Sequence, residues 1–226
     1  MGKKPILKFE SVHEAYPDII VPAKKNVPQW YKDEKVPEGM RKTWKNCVPF
    51  LESMVTGYNV LLPVDIMVKQ INGKPFIDWN QSNHGVRVLG SKLNESIDRI
   101  PTPAGCHKDS FYWHFPVCFE VPVGYSCLIT HPLNRFDLPF QSLSVVMDGG
   151  YTLTPYAFVT FFLHEGFEGI IPQGTPIAHI IPYKNDTWTA EQTPGLVAKG
   201  ELTRMKSTSV YSGWYKKTWW TKKHYN

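Results

Sequence analysis

The chain has 226 residues, of which 42% are hydrophobic, 14% aromatic and 20% charged. This composition excludes disorder over most of the chain, and a chain of this length buries enough surface to form a core without disulfides or metal ions. The net charge of +5 is unevenly placed, because seven Lys or Arg and only one acidic residue, Glu201, lie between Lys199 and Asn226.

Two features of the sequence bear on where the protein resides. No window approaches the roughly 18 consecutive apolar residues of a membrane-spanning helix. The opening Met1-Gly2-Lys3-Lys4-Pro5 lacks the apolar run of about 7 to 15 residues that a signal peptide requires. We therefore expect a soluble protein, in the cytoplasm or in a virion, that has no membrane partner and is not secreted through a signal peptide.

Residues 1–47 are expected to form an extended arm. Prolines are frequent between residues 17 and 37, and each removes a backbone donor and disfavours a helical conformation in the residue before it. A long helix is therefore not expected here. Trp30 and Tyr31 are candidate interface residues, which pack either on their own domain or on a neighbouring subunit.

Residues 48–186 are expected to form a β domain, which makes the fold all-β. Asn72-Gly73 stands between two strand-like runs and predicts a hairpin with strands at 60–71 and 74–79. The polar stretch 80–108 is loop-rich and has no assigned structure. Five further runs, rich in β-branched and aromatic residues, predict one packed sheet system with strands at 111–121, 125–130, 143–147, 156–163 and 177–181.

Residues 187–226 are expected to form a helical, aromatic and basic tail. Thr189 and Gln192 match a capping box, which predicts a short helix, and a second helical stretch is predicted over 196–205. Aromatic and basic residues then alternate from Tyr211 onward, a composition that fits nucleic-acid binding or docking on the same chain or on a partner subunit. The candidate interface residues of the tail are Trp214, Tyr215, Trp219 and Trp220.

Metal and disulfide chemistry are not expected. The four cysteines show no CxxC spacing, and we interpret them as free thiols. The closest grouping, Cys106-His107 with His114 and His131, does not have the spacing of a zinc site. Neither a serine nucleophile elbow nor a phosphate-binding P-loop occurs, so acyl transfer and ATP hydrolysis are not expected.

Four segments follow one another in the middle of the chain: Val121-Pro-Val-Gly-Tyr125, Leu128-Ile-Thr-His-Pro132, Ser144-Val-Val-Met-Asp148-Gly-Gly-Tyr151 and Gly174-Thr-Pro-Ile-Ala-His-Ile-Ile-Pro182. In order and approximate spacing, residues 121–182 resemble the trimeric dUTPase and dCTP deaminase superfamily. The resemblance implies a dUTPase-like barrel or jelly-roll-like sandwich of short strands, to which the flanking residues add the extended N-terminal arm and the short C-terminal helical segment. It also implies a homo-oligomer, specifically a trimer.

The resemblance further implies site residues. Asp148 and Tyr151 resemble the family's pair in which the Asp orients or activates water near the deoxyribose and the Tyr stacks on the sugar. The family's Ser-Ser pair is absent from residues 131–137, which leaves Arg135 as the candidate anion ligand. The family's Gly-rich C-terminal motif is also absent, and His179 replaces the usual Gln. From its residue types alone, Asp148-Gly-Gly-Tyr151 predicts a β-turn between two strands.

Two functions are compatible with these observations. The missing family motifs and the aromatic ends predict a non-catalytic structural or interaction protein on a dUTPase-like β scaffold. A loose compositional likeness to uncharacterised proteins of tailed bacteriophages makes a virion component the expected setting. The alternative is a deoxynucleotide-binding protein or a deoxynucleoside triphosphate pyrophosphohydrolase that uses Asp148 as its base. No cofactor is expected for the first function, and Mg²⁺ only for the alternative.

Overall fold

The computed structural model of the protein describes residues 4–36, 38, 43–79, 87–91, 100–209 and 214–226. These residues fold mainly into antiparallel strands with a few short helices, so the predicted all-β class is confirmed. None of the helices in these ranges is long and apolar enough to cross a bilayer.

The elements follow one another in short segments. The strands are β1 (Lys8–Ser11), β2 (Ile20–Pro22), β3 (Tyr58–Leu61), β4 (Ile66–Ile71), β5 (Lys74–Trp79), β6 (Leu89–Ser91), β7 (Cys106–His114), β8 (Val117–Glu120), β9 (Tyr125–Thr130), β10 (Phe140–Ser142), β11 (Val145–Asp148), β12 (Phe158–His164), β13 (Gly169–Ile171) and β14 (Pro176–Lys184). The helices are α1 (Gln29–Asp33), α2 (Val48–Val55), α3 (Leu196–Ser209) and α4 (Trp214–Thr218), with 3-10 turns at Ala23–Asn26 and Trp44–Asn46.

Two sheets build the core. One has the strand order β10-β12-β7-β6, and the other has the order β11-β9-β14-β3-β2. Side chains of both sheets belong to one hydrophobic cluster, to which Ile129 of β9 and Ile180 of β14 contribute. At its centre Trp113 of β7 stacks on Phe161 of β12, with ring centroids 3.8 Å apart. The remaining strands form two smaller sheets, which have the strand orders β13-β4-β5 and β1-β8.

The predicted hairpin at Asn72-Gly73 is confirmed by strands β4 and β5. Both turn residues have positive φ, 52° and 72°, as a two-residue hairpin turn of the favoured twist requires. The predicted strand 60–71 is nevertheless wrong as a single element, because the chain breaks into β3 and β4 around Pro63. Proline has no amide to continue a ladder, and it therefore ends the first strand.

The predicted strands after residue 110 are found, with shifted ends, as β7 and β8, β9, β11, β12 and β14. The single strand predicted at 111–121 is wrong, since Pro116 separates β7 from β8. Strand β7 also begins at Cys106, inside the stretch predicted to be loop-rich, and β6 lies there too. The rest of that stretch is described only in part, and residues 80–86 and 92–99 lie outside the described residues.

The N-terminal segment takes part in the sheets, and it also carries α1 and the two 3-10 turns. Strand β1 pairs with β8, and β2 pairs with β3 at the edge of the five-stranded sheet. The two helices α1 and α2 were not predicted. Helix α2 carries Pro49 in its first turn, where the missing amide has no intrahelical partner to lose.

The C-terminal prediction is half right. Helix α3 covers the predicted stretch 196–205, but the helix predicted from the capping box at Thr189 is absent, since residues 189–192 have no regular structure. Pro194 disfavours a helical residue before it, and Gly195 has a φ of +82°. Helix α3 therefore begins only after this pair.

Candidate functional site

Two of the motif segments meet as a pair of packed turns. The amide of Gly149 donates to the carbonyl of Tyr125 over 2.7 Å, and the amide of Gly150 donates to the carbonyl of Val121 over 2.9 Å. The contact is so close that a Cβ on Gly149 would lie 2.1 Å from the carbonyl oxygen of Pro122. The predicted β-turn after Asp148 is confirmed, and it is locked against the turn that precedes β9.

Asp148 and Tyr151 lie on this double turn. The Asp148 carboxylate accepts a hydrogen bond of 2.7 Å from the Ser126 hydroxyl and is exposed to solvent. Tyr151 is 55% exposed. One hydroxyl therefore orients the carboxylate, and a substrate would reach both side chains from solvent.

Arg135 lies in the loop 131–138 that follows β9. Its guanidinium forms a two-pronged ion pair with Asp137, in which Nε and Nη2 each lie 2.8 Å from a carboxylate oxygen. Burial raises the pKa of Asp137, but the hydrogen bonds and charge of Arg135 outweigh it and hold that pKa below its usual range. The positive charge of Arg135 is therefore largely neutralised within its own loop.

The structure does not bring Arg135 to Asp148 within one chain. Asp148 pairs in register with Ser126, near the first residue of β9, whereas Arg135 follows the last residue, Thr130. A strand advances about 3.3 Å per residue, so the two side chains are separated by the length of β9. One chain therefore does not assemble the three predicted ligand-contacting residues.

Two histidines fix the Arg135 loop. The amide of Leu133 donates to Nδ1 of His179, whose Nε2 bonds the carbonyl of Thr56. Likewise the amide of Ser142 donates to Nδ1 of His131, whose Nε2 faces the carbonyl of Arg135. In each ring one nitrogen accepts a hydrogen bond and the other must donate one. Only the neutral imidazole has one acceptor and one donor nitrogen, so both histidines are neutral in this arrangement. Burial lowers the pKa of both histidines, in agreement with this pattern.

The aromatic residues of the arm pack on their own domain. Tyr31 is 5% exposed, its ring centroid lies 6.1 Å from that of Phe50, and the ammonium of Lys45 lies 4.6 Å above its ring. Burial raises the pKa of the Tyr31 hydroxyl. Trp30 is 36% exposed, so it is the candidate interface residue of the pair that keeps accessible surface.

In the described parts of the C-terminal segment 185–222, namely 185–209 and 214–222, most side chains are exposed. Trp188 is 87% exposed, and every described side chain of α3 is exposed. In the tail Trp219 and Tyr215 are 62% and 46% exposed, whereas Trp214 and Trp220 are half-buried. The four tail residues therefore divide into two that are exposed and two that are half-buried.

The chain then returns to the β domain. Lys223 Nζ lies 2.9 Å from the Glu52 carboxylate of α2, and the ring of Tyr225 meets that of Tyr58 edge-on at 5.7 Å. A groove of about 310 Å³ lies at this point, lined by Lys184, where the segment leaves the domain, and by His224, where it returns. The Val121–Tyr125 turn contributes to the same groove.

The cysteines and histidines show no metal-like clustering in the part of the chain that the structure describes. No three His, Cys, Asp or Glu side chains converge there as metal ligands would. All four cysteines are free thiols, and Cys127 is fully buried.

No protein-family model matches the chain, and no curated protein matches its sequence.

Several functional contacts were not predicted from the sequence. Glu52 and Tyr58, which receive the tail, carry no motif, and their tail partners are distant in sequence. The ion pair of Arg135 with Asp137 spans only two residues and is visible as a charge pair in the sequence. The roles of His131 and His179 depend on backbone groups, which have no sequence signal.

Proposed function

We propose that the protein is a non-catalytic structural or interaction protein, built on a dUTPase-like β scaffold and assembled as a homo-oligomer. The observation that carries the proposal is helix α3, whose described side chains are all exposed and do not pack on the domain. The proposal extends to its setting as a component of a larger assembly such as a virion.

The exposed helix argues for a partner. Helix α3 has 14 residues, and isolated helices shorter than about 12–15 residues are marginal in water even with favourable sequences. Gly200 weakens it further. Its apolar side chains Val197 and Leu202 are 83% and 58% exposed. A second copy of the chain is the proposed partner, because each copy supplies both the exposed segment and the apolar groove at its base.

The candidate catalytic residues support a role without turnover. Arg135 is neutralised by Asp137 and lies at the far end of β9 from Asp148. Anionic phosphates are bound in proteins by cations that are free to pair with them. A retained scaffold with a dispersed site is the arrangement expected when a fold is kept and its original site is lost.

The second candidate function, turnover or binding of a deoxynucleoside triphosphate, rests on one observation. The Asp148 carboxylate is exposed, oriented by Ser126 and accompanied by the exposed Tyr151. A general base needs a carboxylate within hydrogen-bond reach of the proton it removes, and Asp148 is accessible to such a ligand. Under this function Arg135 of a neighbouring subunit would have to supply the phosphate contact.

The first experiment measures mass in solution by light scattering coupled to size exclusion. We expect an oligomer of the full chain, and we expect the double variant Val197→Ser with Leu202→Ser to dissociate. Ile170→Ser is the matched control, because it removes an apolar side chain that is 63% exposed on β13. A monodisperse monomer of the unaltered chain would rule out the oligomer.

The second experiment separates the two functions. Deoxynucleoside triphosphates are incubated with the protein and with Asp148→Asn, with and without Mg²⁺, while pyrophosphate and phosphate release are followed. The non-catalytic proposal expects no turnover by either protein. Turnover that Asp148→Asn abolishes without unfolding would establish the second function in its place.

A further inference from the structure

A cavity of about 280 Å³ lies beside Arg135, between the segment 25–32 and the loop 172–176. Its charged lining residues are Lys25, Lys32 and Arg135, and no carboxylate lines it. Arg135 is already paired with Asp137, which leaves the two lysines as the uncompensated charges. In the described part of the chain, neither lysine ammonium forms an ion pair.

Asn26 adds a polar side chain to the lining of the cavity. Nδ2 of Asn26, a lining residue, is buried and has no hydrogen-bond partner among the described residues. Because no carboxylate lines the cavity, the charges of the two lysines can be balanced by a bound anion. The chemistry of the cavity thus fits an anion with oxygen acceptors, such as a phosphate group.

A row of aromatic rings adjoins the cavity. Trp44 lies 5.1 Å from Phe50, Phe50 lies 6.3 Å from Trp30, and Trp30 lies 6.2 Å from Phe136, measured between ring centroids. Trp44 is 67% and Phe136 76% exposed. Three separate parts of the chain thus bring large apolar rings to one place at the surface. Exposed aromatic clusters of this kind mark binding surfaces in soluble proteins.

The row and the cavity share two chain segments. Trp30 follows Gln29, which lines the cavity, and Phe136 follows Arg135, which also lines it. The rings and the cations are therefore held on the same two short segments. A ligand that carries both an anionic group and a flat ring can contact the two features together.

We propose that this surface binds single-stranded nucleic acid, with a backbone phosphate in the Lys25–Lys32 cavity and the neighbouring bases on the exposed faces of Phe136, Trp30 and Trp44. Aromatic rings that stack unpaired bases, beside cations that track the phosphates, are the usual means of binding a single strand without sequence preference. A duplex keeps its bases stacked within itself and cannot use the rings. This inference does not rest on the oligomer proposed above.

The test is fluorescence anisotropy of a labelled single-stranded oligothymidylate of about 16 nucleotides. We expect binding at about 50 mM salt that weakens steeply by about 200 mM, since phosphate contacts release counterions. Phe136→Ala and Trp44→Ala are each expected to weaken binding about tenfold, as loss of one stacking ring does. Lys32→Glu is expected to weaken binding and to flatten its salt dependence.

Matched controls come from the β4–β5 hairpin. Phe76→Ala removes a ring that is 50% exposed, and Lys69→Glu reverses an exposed charge, both away from the row. We expect each control to leave affinity within about twofold, because surface changes outside a site have small effects.

Four results would overturn the proposal. These are absence of binding at low salt, equal losses in the controls and the site variants, an affinity for duplex DNA that matches the single strand, and full competition by thymidine monophosphate at the same concentration. Loss of binding in Trp219→Ala with Lys217→Glu alone would instead place the nucleic-acid site on the C-terminal tail. Neither oligomer mass nor nucleotide turnover enters these readouts, so the outcome is independent of the proposed function.

Discussion

Gly149 donates its amide to the carbonyl of Tyr125 over 2.7 Å, and this bond joins the turn after β11 to the turn before β9. The approach leaves no room for a side chain, because a Cβ on Gly149 would lie 2.4 Å from the carbonyl oxygen of Tyr125 and closer still to that of Pro122. Backbone atoms cannot move aside as a flexible side chain does.

Gly149→Ala should therefore destabilise the protein. We expect a loss of about 1–3 kcal/mol or more in the free energy of unfolding, because the two turns must separate to accept the methyl group. Urea unfolding followed by circular dichroism measures it. Gly200→Ala is the control, since a Cβ there meets no atom within 4 Å, and it should leave the stability of the β domain unchanged. Equal stabilities of the two variants would contradict the close packing.

The stability of the protein should fall less in Trp113→Phe than in Trp113→Ala. Its ring is fully buried and stacks on Phe161, so Trp113→Ala should lose about 3–5 kcal/mol. Its indole nitrogen has no hydrogen-bond partner in the described part of the chain, so Trp113→Phe breaks no bond and should lose less than half as much. Thermal unfolding of both variants tests the order. A Phe variant as unstable as the Ala variant would show that the indole nitrogen has an essential contact.

Stability should fall as the solution is acidified below about pH 6.5, the pKa of histidine in an unfolded chain. Burial lowers the pKa of His131 and His179, so the unfolded state binds protons at a higher pH than the folded state does. The contribution of the two neutral histidines to the free energy of unfolding is therefore complete above about pH 6.5. It is lost as the pH falls toward their pKa values in the folded state. Urea unfolding between about pH 7 and pH 5 measures the slope.

His179→Gln should reduce that slope. The glutamine keeps an amide that can face Thr56 and Leu133, but it cannot take up a proton. His224→Gln is the matched control for the replacement of an exposed histidine by glutamine. A slope unchanged by His179→Gln would assign the acid sensitivity to other groups.

Alkylation should distinguish Cys127 from the other thiols. Cys127 is fully buried, and burial raises its pKa to about 11. The thiolate is the reactive form, so at about pH 8 Cys127 is protected both by inaccessibility and by protonation. Iodoacetamide followed by mass spectrometry should label the partly exposed Cys47 and Cys118 in the native protein and Cys127 only after unfolding. Labelling of Cys127 at the rate of Cys47 would contradict its burial.

The sequence predicted the long strands and missed the short ones. Strands β9, β12 and β14 are runs of β-branched and aromatic residues between turn residues. Such runs can be recognised as strands from their own residues alone. Strands β2 and β13 have three residues each, and they exist because β3 and β4, remote in the chain, offer free edges. Pairing of this kind has no local signal, so it could not be predicted.

At the candidate site, too, local features could be predicted from the sequence and contacts between distant residues could not. The turn at Gly149 was predictable, because Asp and Gly at these positions specify a turn. The contact of Lys223 with Glu52 joins residues 171 positions apart and depends on the whole path of the chain. The aromatic row likewise combines Trp44, Phe50 and Phe136 from three segments, and only Trp30 among its members was a candidate.

The contact of Lys223 with Glu52 places the end of the tail near the groove that Lys184 and His224 line. The entropy lost on closing a flexible loop grows only with the logarithm of its length, by about 0.6 kcal/mol for each doubling. The connection 185–193 before α3, which has no regular structure, could therefore lengthen or shorten at almost the same stability. A change in the length of this connection would then alter where α3 stands relative to the domain, and hardly the stability of the fold.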